Sequence, residues 1–313
     1  MKFSFTSLGS ASATPTVNRF PSAHVLNVHE RLFLIDCGEG CQMQLRRYGF
    51  SFLKIREIFI SHIHGDHIFG LPGLLSSMSM MGRREDLDIY APQDLAPILK
   101  SYLRFFGDGF QFNVNFIKVK GKGLISILKT KRVEVLSFPL NHRIECYGYL
   151  FRETAPGRNV HKHLIKPYGL TLFEIARLKE GESLVRESGE ILENGYFTYQ
   201  PHTPRLFAYC SDTAPFDELP GFVQGCDLLY HETTFASDMQ LMAGQTLHST
   251  AADAAHCAQD ANAGKLLIGH FSSRYKSTSL FLEEARAIFP STYEAKEGQE
   301  FDIPLVKHCN NSK

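Results

Sequence analysis

Three histidines and one aspartate lie within seven residues, Ser61 to His67, which read Ser-His-Ile-His-Gly-Asp-His. The apolar run before them, 58–60, predicts a buried strand, and the stretch after them, 68–75, predicts a turn that enters a helix. Imidazole nitrogens and carboxylate oxygens are ligands that zinc accepts, and so many of them in one loop would be unfavourable without a ligand role. The loop therefore predicts a metal site at the end of a strand.

Further polar residues occupy the same kind of position. His142, Asp212, Glu232 and His270 each follow closely on an apolar run typical of a strand. Because strand ends meet at one edge of a sheet, these side chains can join the first loop in space. Taken alone, such a histidine is more often a hydrogen-bonded structural residue, and an aspartate in a Ser-Asp-Thr sequence more often forms a turn. Together with the loop, five histidines and two aspartates match what two divalent cations need.

Motifs for other chemistries are missing from the sequence. It contains no Walker A motif, no G-x-G-x-x-G and no H-E-x-x-H. A Ser–His–Asp triad could use His248, but no G-x-S-x-G nucleophile elbow supports it.

The composition favours a cytoplasmic protein with a large core. The chain has 313 residues, 43% of them hydrophobic, with 33 basic and 33 acidic side chains. Zero net charge restricts any nucleic-acid site to a local basic patch. The seven cysteines have no paired spacing and are expected to be reduced thiols. The first residues alternate like a strand, without the apolar segment of a signal peptide, and no apolar run approaches the roughly 20 residues of a membrane span, so no membrane partner is expected.

Strand and helix patterns alternate in both halves of the chain and predict a layered α/β sandwich with mixed sheets. The predicted strands are 3–8, 24–28, 31–36, 56–60, 87–90, 112–119, 124–128, 133–138, 147–151, 206–210, 227–230, 265–268 and 302–306. The predicted helices are 41–48, 71–81, 95–106, 172–178, 251–261 and 280–289, and a Ser or Thr before Ala251 is the expected N-cap.

Residues 152 to about 195 differ from the rest of the chain. Apolar density falls there, and the front part is basic, with Arg152, Arg158, Lys162 and Lys166 against Glu153. We interpret the stretch as an insertion that projects from the core. On composition alone, a solvated surface excursion and a binding arm explain it equally well.

The first loop, His62 to His67, resembles the signature of the metallo-β-lactamase superfamily. The wider sequence resembles one of its families, the ribonuclease Z family of tRNA 3′-processing endoribonucleases, in the short form. The pieces that carry this resemblance follow the family's order over nearly the whole chain: Asp36-Cys37-Gly38-Glu39-Gly40, Gly70-Leu71-Pro72-Gly73-Leu74, Ser211-Asp212-Thr213, His231-Glu232-Thr233, His248-Ser249-Thr250 and Gly269-His270-Phe271-Ser272.

The resemblance implies a fold and a ligand set. The fold is a four-layer αβ/βα sandwich, a single domain over residues 1–313 with an inserted arm at 152–195. Two zinc ions per subunit, which manganese could replace, would be bound by seven side chains. The first ion would take His62, His64 and His142, and the second Asp66, His67 and His270, with Asp212 bridging the two.

The resemblance also implies a reaction. The family removes 3′ trailers from precursor tRNA, leaving a 3′-hydroxyl on the tRNA and a 5′-phosphate on the trailer. Paired cations suit this chemistry, because they activate water and neutralise phosphodiester charge. His248 would be the general acid, oriented by Glu232, and Asp66 counts as a catalytic residue as well as a ligand.

The expected partners are precursor tRNA and a second copy of the chain. Arg19 ends a Pro-x-x-x-Arg loop that resembles the family's Pro-x-Lys-x-Arg loop, with Val17 in place of the lysine. It is a candidate substrate contact, together with Arg158, Lys162 and Lys166 of the arm, whose basic front suits phosphate groups. The family resemblance also suggests a homodimer.

Two other functions remain open. One is a phosphodiesterase or arylsulfatase-like hydrolase of small esters, which would have no use for a basic arm. The other is a non-catalytic RNA-binding relative, which the presence of all seven candidate ligands disfavours. A glyoxalase-type thioesterase or a β-lactamase would not need Glu232 with His248.

Overall fold

The computed structural model describes residues 1–307 and has two compact units. The larger unit consists of Met1–Arg152 and Leu206–Ile303, and its framework is a pair of seven-stranded sheets. Each sheet has both parallel and antiparallel neighbours, as the alternation of strand and helix patterns predicts.

In the first sheet, antiparallel strands precede parallel ones. Phe3–Gly9, Ala23–Val28 and Arg31–Cys37 pair antiparallel in succession. From Arg31–Cys37 onward every pairing is parallel. In spatial order the strands are Glu300–Asp302, Phe3–Gly9, Ala23–Val28, Arg31–Cys37, Ile55–Phe59, Leu87–Ala91 and Val114–Lys118.

The second sheet has its parallel strands in the C-terminal half of the chain. Leu206–Cys210, Leu228–Glu232 and Leu266–Gly269 run parallel and are almost wholly buried. Burial on both faces explains why these strands read as apolar runs rather than alternating patterns. In spatial order the strands are Thr292–Glu294, Leu266–Gly269, Leu228–Glu232, Leu206–Cys210, Tyr147–Glu153, Val133–Pro139 and Ile125–Lys129.

The two sheets face each other, and helices cover their outer faces. Phe33 and Phe59 of the first sheet pack against Phe151 of the second, with ring centroids 5.5 and 5.4 Å apart. The helices of the larger unit are Cys41–Arg47, Gly65–Ile68, Leu71–Met80, Leu95–Phe106, Leu219–Phe222, Gln240–Thr246, Ala251–Asp260 and Ser279–Ile288. Leu71, Leu74 and Leu75 pack on the first sheet, and small residues of Ala251–Asp260 pack on the second. The result is a four-layer αβ/βα sandwich, as predicted.

The smaller unit contains Glu153–Arg205 and residues 304–307 of the described chain. Its elements are short: helices Lys162–Ile165, Leu172–Lys179 and Asn194–Phe197, with the strand pairs Asn159–Val160/Thr198–Tyr199 and Leu184–Val185/Ile191–Leu192. It has a core of its own, formed by Val160, Leu164, Leu170, Leu178, Leu192 and Phe197. Residues 153–195 therefore belong to a folded unit that continues to Arg205, whereas Arg152 belongs to the larger unit.

Most predicted elements are present within one or two residues of their predicted ends. The helix Leu95–Phe106 and the strand Leu206–Cys210 have the predicted bounds. The strand predicted at 302–306 is wrong, because the last strand among residues 1–307 is Glu300–Asp302. Pro304 has no amide hydrogen to donate and cannot continue the ladder. The sequence also gave no sign of the helix Gln240–Thr246.

Six cysteines, all buried, have free thiols; the seventh, Cys309, lies outside the described residues. Among residues 1–307, none of the helices has both the length and the apolar character needed to cross a bilayer.

Candidate metal centre

The candidate ligands come together at one edge of the sandwich, beyond the ends of four strands. His62, His64, Asp66 and His67 follow Ile55–Phe59, and the last two lie in the short helix Gly65–Ile68. The remaining candidates come from the second sheet: His142 after Val133–Pro139, Asp212 after Leu206–Cys210, and His270 after Leu266–Gly269. His270 has a φ of 64°, so its backbone turns sharply at the strand end.

Four side chains form a first group. The Nδ1 atom of His64 lies 3.0 Å from Nε2 of His62 and 3.2 Å from Nε2 of His142. The Oδ2 atom of Asp212 lies 3.5 Å from Nε2 of His62 and 3.8 Å from Nε2 of His142. Ligands about 2.1 Å from a tetrahedral zinc ion are roughly 3.4 Å from one another, so these spacings suit one cation.

A second group adjoins the first. Nε2 of His270 lies 3.3 Å from Nε2 of His67 and 3.4 Å from Oδ2 of Asp66. The second carboxylate oxygen of Asp212, Oδ1, lies 3.4 Å from Nε2 of His67 and 3.3 Å from Nε2 of His270. One oxygen of Asp212 thus faces each group, the arrangement that a bridging carboxylate needs. All seven predicted ligands are brought together.

Two observations indicate that this site fits cations. Asp212 is almost fully buried, yet its Oδ1 atom has no hydrogen-bond donor among residues 1–307. A buried carboxylate oxygen left without a donor is unfavourable, and a cation would satisfy it. The seven side chains also form the mixed histidine–carboxylate donor set that zinc and similar divalent ions accept.

Hydrogen bonds on the far side of the imidazoles fix their orientation. Nδ1 of His67 is 2.8 Å from Oδ2 of Asp36, Nδ1 of His142 is 3.0 Å from the carbonyl of Leu247, and Nδ1 of His270 is 3.0 Å from Oγ1 of Thr234. When Nδ1 donates its proton outward, Nε2 is left free to bind a cation. This supporting layer was missed by sequence reasoning, although Asp36 stands in one of the motifs that carry the family resemblance.

Asp36 is itself held in place by three donors. Its Oδ1 atom accepts from the Ser61 amide at 2.8 Å, and its Oδ2 atom accepts from the Ser61 hydroxyl at 3.0 Å and the Tyr209 hydroxyl at 2.7 Å. Its φ of 55° is unusual for a residue other than glycine, which points to a backbone conformation that the surroundings enforce. The Asp36 carboxylate therefore supports the first loop directly.

The pKa shifts of the site residues are those expected of a cation-binding site. Burial lowers the pKa of His62 well below its usual value, aided by the neighbouring His67. Burial alone would raise the pKa of Asp212, but His270, His67 and His62 hold it well below its usual value. Burial alone would lower the pKa of His67, yet the carboxylates of Asp212, Asp36 and Asp66 raise it. A proton on His67 and a bound cation are alternative ways to balance this negative charge.

Next to the ligand groups lies a histidine–glutamate pair. Nδ1 of His248 is 2.9 Å from Oε1 of the fully buried Glu232. Glu232 also accepts hydrogen bonds from the amides of Ser249 at 2.9 Å and Thr234 at 2.8 Å. Burial lowers the pKa of His248, but Glu232 and then Asp212 outweigh it and raise the pKa to about 9. His248 is thus poised to carry a proton.

His248 and four of the candidate ligands border one pocket of about 510 Å³. His64, Asp66, His142, Asp212 and His248 contribute to its wall. Two further wall residues, Phe69 and Arg143, were missed by sequence reasoning. Arg143 donates a hydrogen bond from Nη2 to the carbonyl of Gln245 at 2.9 Å, and its exposed guanidinium gives this wall its one arginine or lysine among the described residues.

The four predicted RNA contacts are in different surroundings. Arg19 donates from Nη2 to the carbonyl of Tyr275 at 2.8 Å and packs over the Phe271 ring. Arg158 donates from Nε to the Thr198 hydroxyl at 2.5 Å, inside the smaller unit. Lys162 and Lys166 are exposed. The lysines are free to meet a phosphate, whereas both arginines already hold local structure.

The paired αβ layers and the histidine–aspartate cluster at their edge define the chain as a metal-dependent hydrolase of the metallo-β-lactamase fold. Human tRNase Z, short form, superposes with a TM-score of 0.69 over 96% of this chain and 99% of that one, at 24% identity. The metallo-beta-lactamase fold protein YhfI of Bacillus subtilis gives 0.68 over 96% and 100%, at 19% identity. Residues 1–106 match the family described as Anti-Pycsar protein Apyc1.

Sequence relatives are more specific. The chain is 42% identical to Ribonuclease Z of Bacteroides thetaiotaomicron over 296 residues, which cover 95% of this chain and 94% of that protein. It is also 42% identical to Ribonuclease Z of Cytophaga hutchinsonii in an alignment of 314 positions that covers 100% of both proteins. The chain belongs to the ribonuclease Z family.

Proposed function

We propose that this protein is a zinc-dependent endoribonuclease that removes 3′ trailers from precursor tRNA, leaving a 3′-hydroxyl on the tRNA and a 5′-phosphate on the trailer. The observation that carries the proposal is that His248, held by the buried Glu232, lines the same pocket as ligands of both groups. A hydrolase of small esters is the weaker alternative, because the full-length relatives are ribonucleases Z.

The site would hold two divalent cations, zinc in the first place, with manganese as a possible substitute. His62, His64 and His142 would bind one, Asp66, His67 and His270 the other, and Asp212 both. When bound, the cations activate a water molecule and neutralise charge on the phosphodiester. The Ala13 amide donates a hydrogen bond to Oδ2 of Asp66 at 2.8 Å and orients this carboxylate.

His248 supplies the proton that the leaving 3′-oxygen needs. Its Nδ1–H donates to Glu232, so the proton on Nε2 is the one available to the pocket. The attacking water forms the new P–O bond on the trailer phosphate and gives up a proton, for which Asp66 is the acceptor in the same pocket. The scissile P–O3′ bond breaks as the leaving oxygen takes the Nε2 proton of His248. Glu232 favours the protonated imidazole and fixes its orientation. Arg143 can bind a phosphate oxygen at the same wall.

The smaller unit, with Lys162 and Lys166 exposed, would bind the body of the tRNA through its phosphates. We further propose a homodimer, which sedimentation of the purified protein can test against the monomer mass.

The decisive test is cleavage of precursor tRNAs, with and without an encoded CCA, followed by mapping of both new ends. We expect one cut near the 3′ end of the mature tRNA, a 3′-hydroxyl and a 5′-phosphate, together with about two zinc ions per chain by elemental analysis. A metal-free protein that remains active, or one that cleaves only small esters, would contradict the proposal. The result with CCA also reveals the consequence of Val17 in the Pro15–Arg19 loop.

A further inference from the structure

Phe69 is a large apolar side chain that remains exposed beside the candidate metal centre. It follows the helix Gly65–Ile68, which carries Asp66 and His67, and 68% of its surface is accessible. Removing a phenylalanine ring from water is favourable, so its exposure in a functional pocket suggests a ligand that covers it.

The Phe69 ring lies against the backbone of a glycine. A Cβ atom at position 65 would overlap the Phe69 ring, so only glycine lets the ring lie against this backbone. The Phe69 amide donates to the Gly65 carbonyl at 2.9 Å and closes the turn that holds both residues. A phenylalanine side chain also has few rotatable bonds, so little side-chain freedom is lost when a ligand covers the ring.

Phe69 also separates the catalytic pocket from an apolar pocket. The second pocket has a volume of about 210 Å³ and is formed by the helices Leu71–Met80 and Leu95–Phe106, with Leu75, Ile98 and Tyr102 in its wall. Because Phe69 belongs to the walls of both, a group attached to a phosphate at the metal centre can reach the ring and the apolar pocket without leaving the chain surface.

We propose that Phe69 is a stacking platform for the nucleobase adjacent to the scissile phosphate, with the apolar pocket receiving the edge of that base. This inference rests on the proposed function and specifies how the same site holds RNA. Unpaired bases stack on aromatic side chains irrespective of sequence, because every base has a π-face. A platform of this kind suits the single-stranded 3′ end of a precursor, whose sequence beyond the mature tRNA differs from one transcript to the next.

The test combines substitutions with abasic RNA. Phe69→Ala, Phe69→Leu and Phe69→Trp are compared with Phe105→Ala, a matched control because Phe105 is 66% exposed and lies outside the catalytic pocket. Each enzyme is given precursor RNA that carries either all bases or one abasic ribose directly 5′ or 3′ of the cut. Metal content is measured for every variant, because Phe69 is close to ligand residues.

Phe69→Ala should lower kcat/KM on full RNA about 5- to 150-fold, the range of base–aromatic stacking on alanine substitution. Phe69→Leu should fail to restore activity, Phe69→Trp should restore it, and Phe105→Ala should have no effect. One of the two abasic substrates should be cleaved equally by the wild type and Phe69→Ala. The proposed stacking role is wrong if Phe69→Ala is as defective, relative to the wild type, on both abasic substrates as on full RNA. It is also wrong if Phe69→Leu is as active as the wild type. A wild-type enzyme that cannot cut full precursor RNA would instead refute the proposed function.

Discussion

Glu232 and His248 illustrate how much of the mechanism depends on single hydrogen bonds. Glu232 is buried without an arginine or lysine partner in the described chain, and its charge is compensated by His248 and several backbone amides. Burying a carboxylate lowers the stability of the fold, which points to a functional reason for its position. The hydrogen bond to Glu232 occupies Nδ1 of His248 and leaves Nε2 to carry the proton, although His248 also lies within 4.8 Å of ligand atoms of Asp212 and His270.

His248→Ala should therefore abolish proton donation without removing a predicted ligand. We expect kcat for precursor RNA to fall about 100- to 10,000-fold, the usual contribution of general acid catalysis. Bound metal, measured by elemental analysis, should be unchanged. The control is His256→Ala, because His256 is exposed on the helix Ala251–Asp260. Loss of metal in His248→Ala would show that this residue is a ligand.

Thr234→Val should weaken metal binding through His270. The Thr234 hydroxyl donates to Glu232 and lies 3.0 Å from Nδ1 of His270, so valine keeps the shape of the side chain but removes the group that orients the imidazole. Loss of such a supporting partner reduces metal affinity by about 10- to 100-fold. Competition with a chelator measures the affinity. Thr234→Ser should bind metal like the wild type, and an unaltered affinity in Thr234→Val would contradict the role.

The candidate ligands were predictable from sequence, whereas their supports were not. His62 to His67 form a dense local pattern, and His142, Asp212 and His270 follow continuous apolar runs, which the sequence shows directly. Thr234 and Tyr209 give no such signal, because the residues that make them useful come from distant parts of the chain. Phe69 and Arg143 were not predicted as site residues, because the type of a residue does not reveal that it is exposed beside a pocket.

At the level of whole elements, strand parallelism explains why distant residues meet. Leu206–Cys210, Leu228–Glu232 and Leu266–Gly269 are adjacent and parallel, so Asp212, Glu232 and His270 emerge at the same edge. Apolar runs predicted these strands well. The ends of other elements were less predictable: the strand expected at 302–306 stops at Asp302, and the helix Gln240–Thr246 lacks a strong apolar period.

The helix Ala251–Asp260 begins two residues after Ser249, whose amide donates a hydrogen bond to Glu232. The N-terminal cap of this helix therefore helps to hold the catalytic pair in place. The Thr250 hydroxyl accepts from the Asp253 amide, and the Asp253 carboxylate accepts from the Thr250 amide. Thr250→Ala should lower the free energy of unfolding by about 0.5–2 kcal/mol. A urea titration measures this as a lower midpoint at unchanged slope.

A second threonine offers the matched comparison. Thr278 precedes the helix Ser279–Ile288 but makes no side-chain cap hydrogen bond. Thr278→Ala should therefore leave the midpoint close to that of the wild type. Equal destabilisation by both substitutions would mean that the reciprocal bonds of Thr250 and Asp253 add nothing.

The whole molecule combines a neutral chain with local charge. Lysine plus arginine and aspartate plus glutamate are equal in number, so long-range attraction to RNA cannot come from net charge. The smaller unit has a separate core and presents Lys162 and Lys166 to solvent, while Arg186 is used internally, bound to Glu174 and Glu190. Which basic residues are free and which hold the unit together could not be predicted from composition.

Reversing both exposed charges, Lys162→Glu with Lys166→Glu, should weaken binding of precursor tRNA but leave hydrolysis of a small chromogenic phosphodiester intact, because the metal-site residues are unchanged. Each lost phosphate contact should reduce the slope of log affinity against log salt concentration by about 1. Binding measured at several salt concentrations gives this slope. Lys54→Glu with Lys118→Glu, which reverses two exposed charges of the larger unit, is the control. If both double variants lose affinity equally, the effect is one of net charge, and the smaller unit has no specific part in RNA binding.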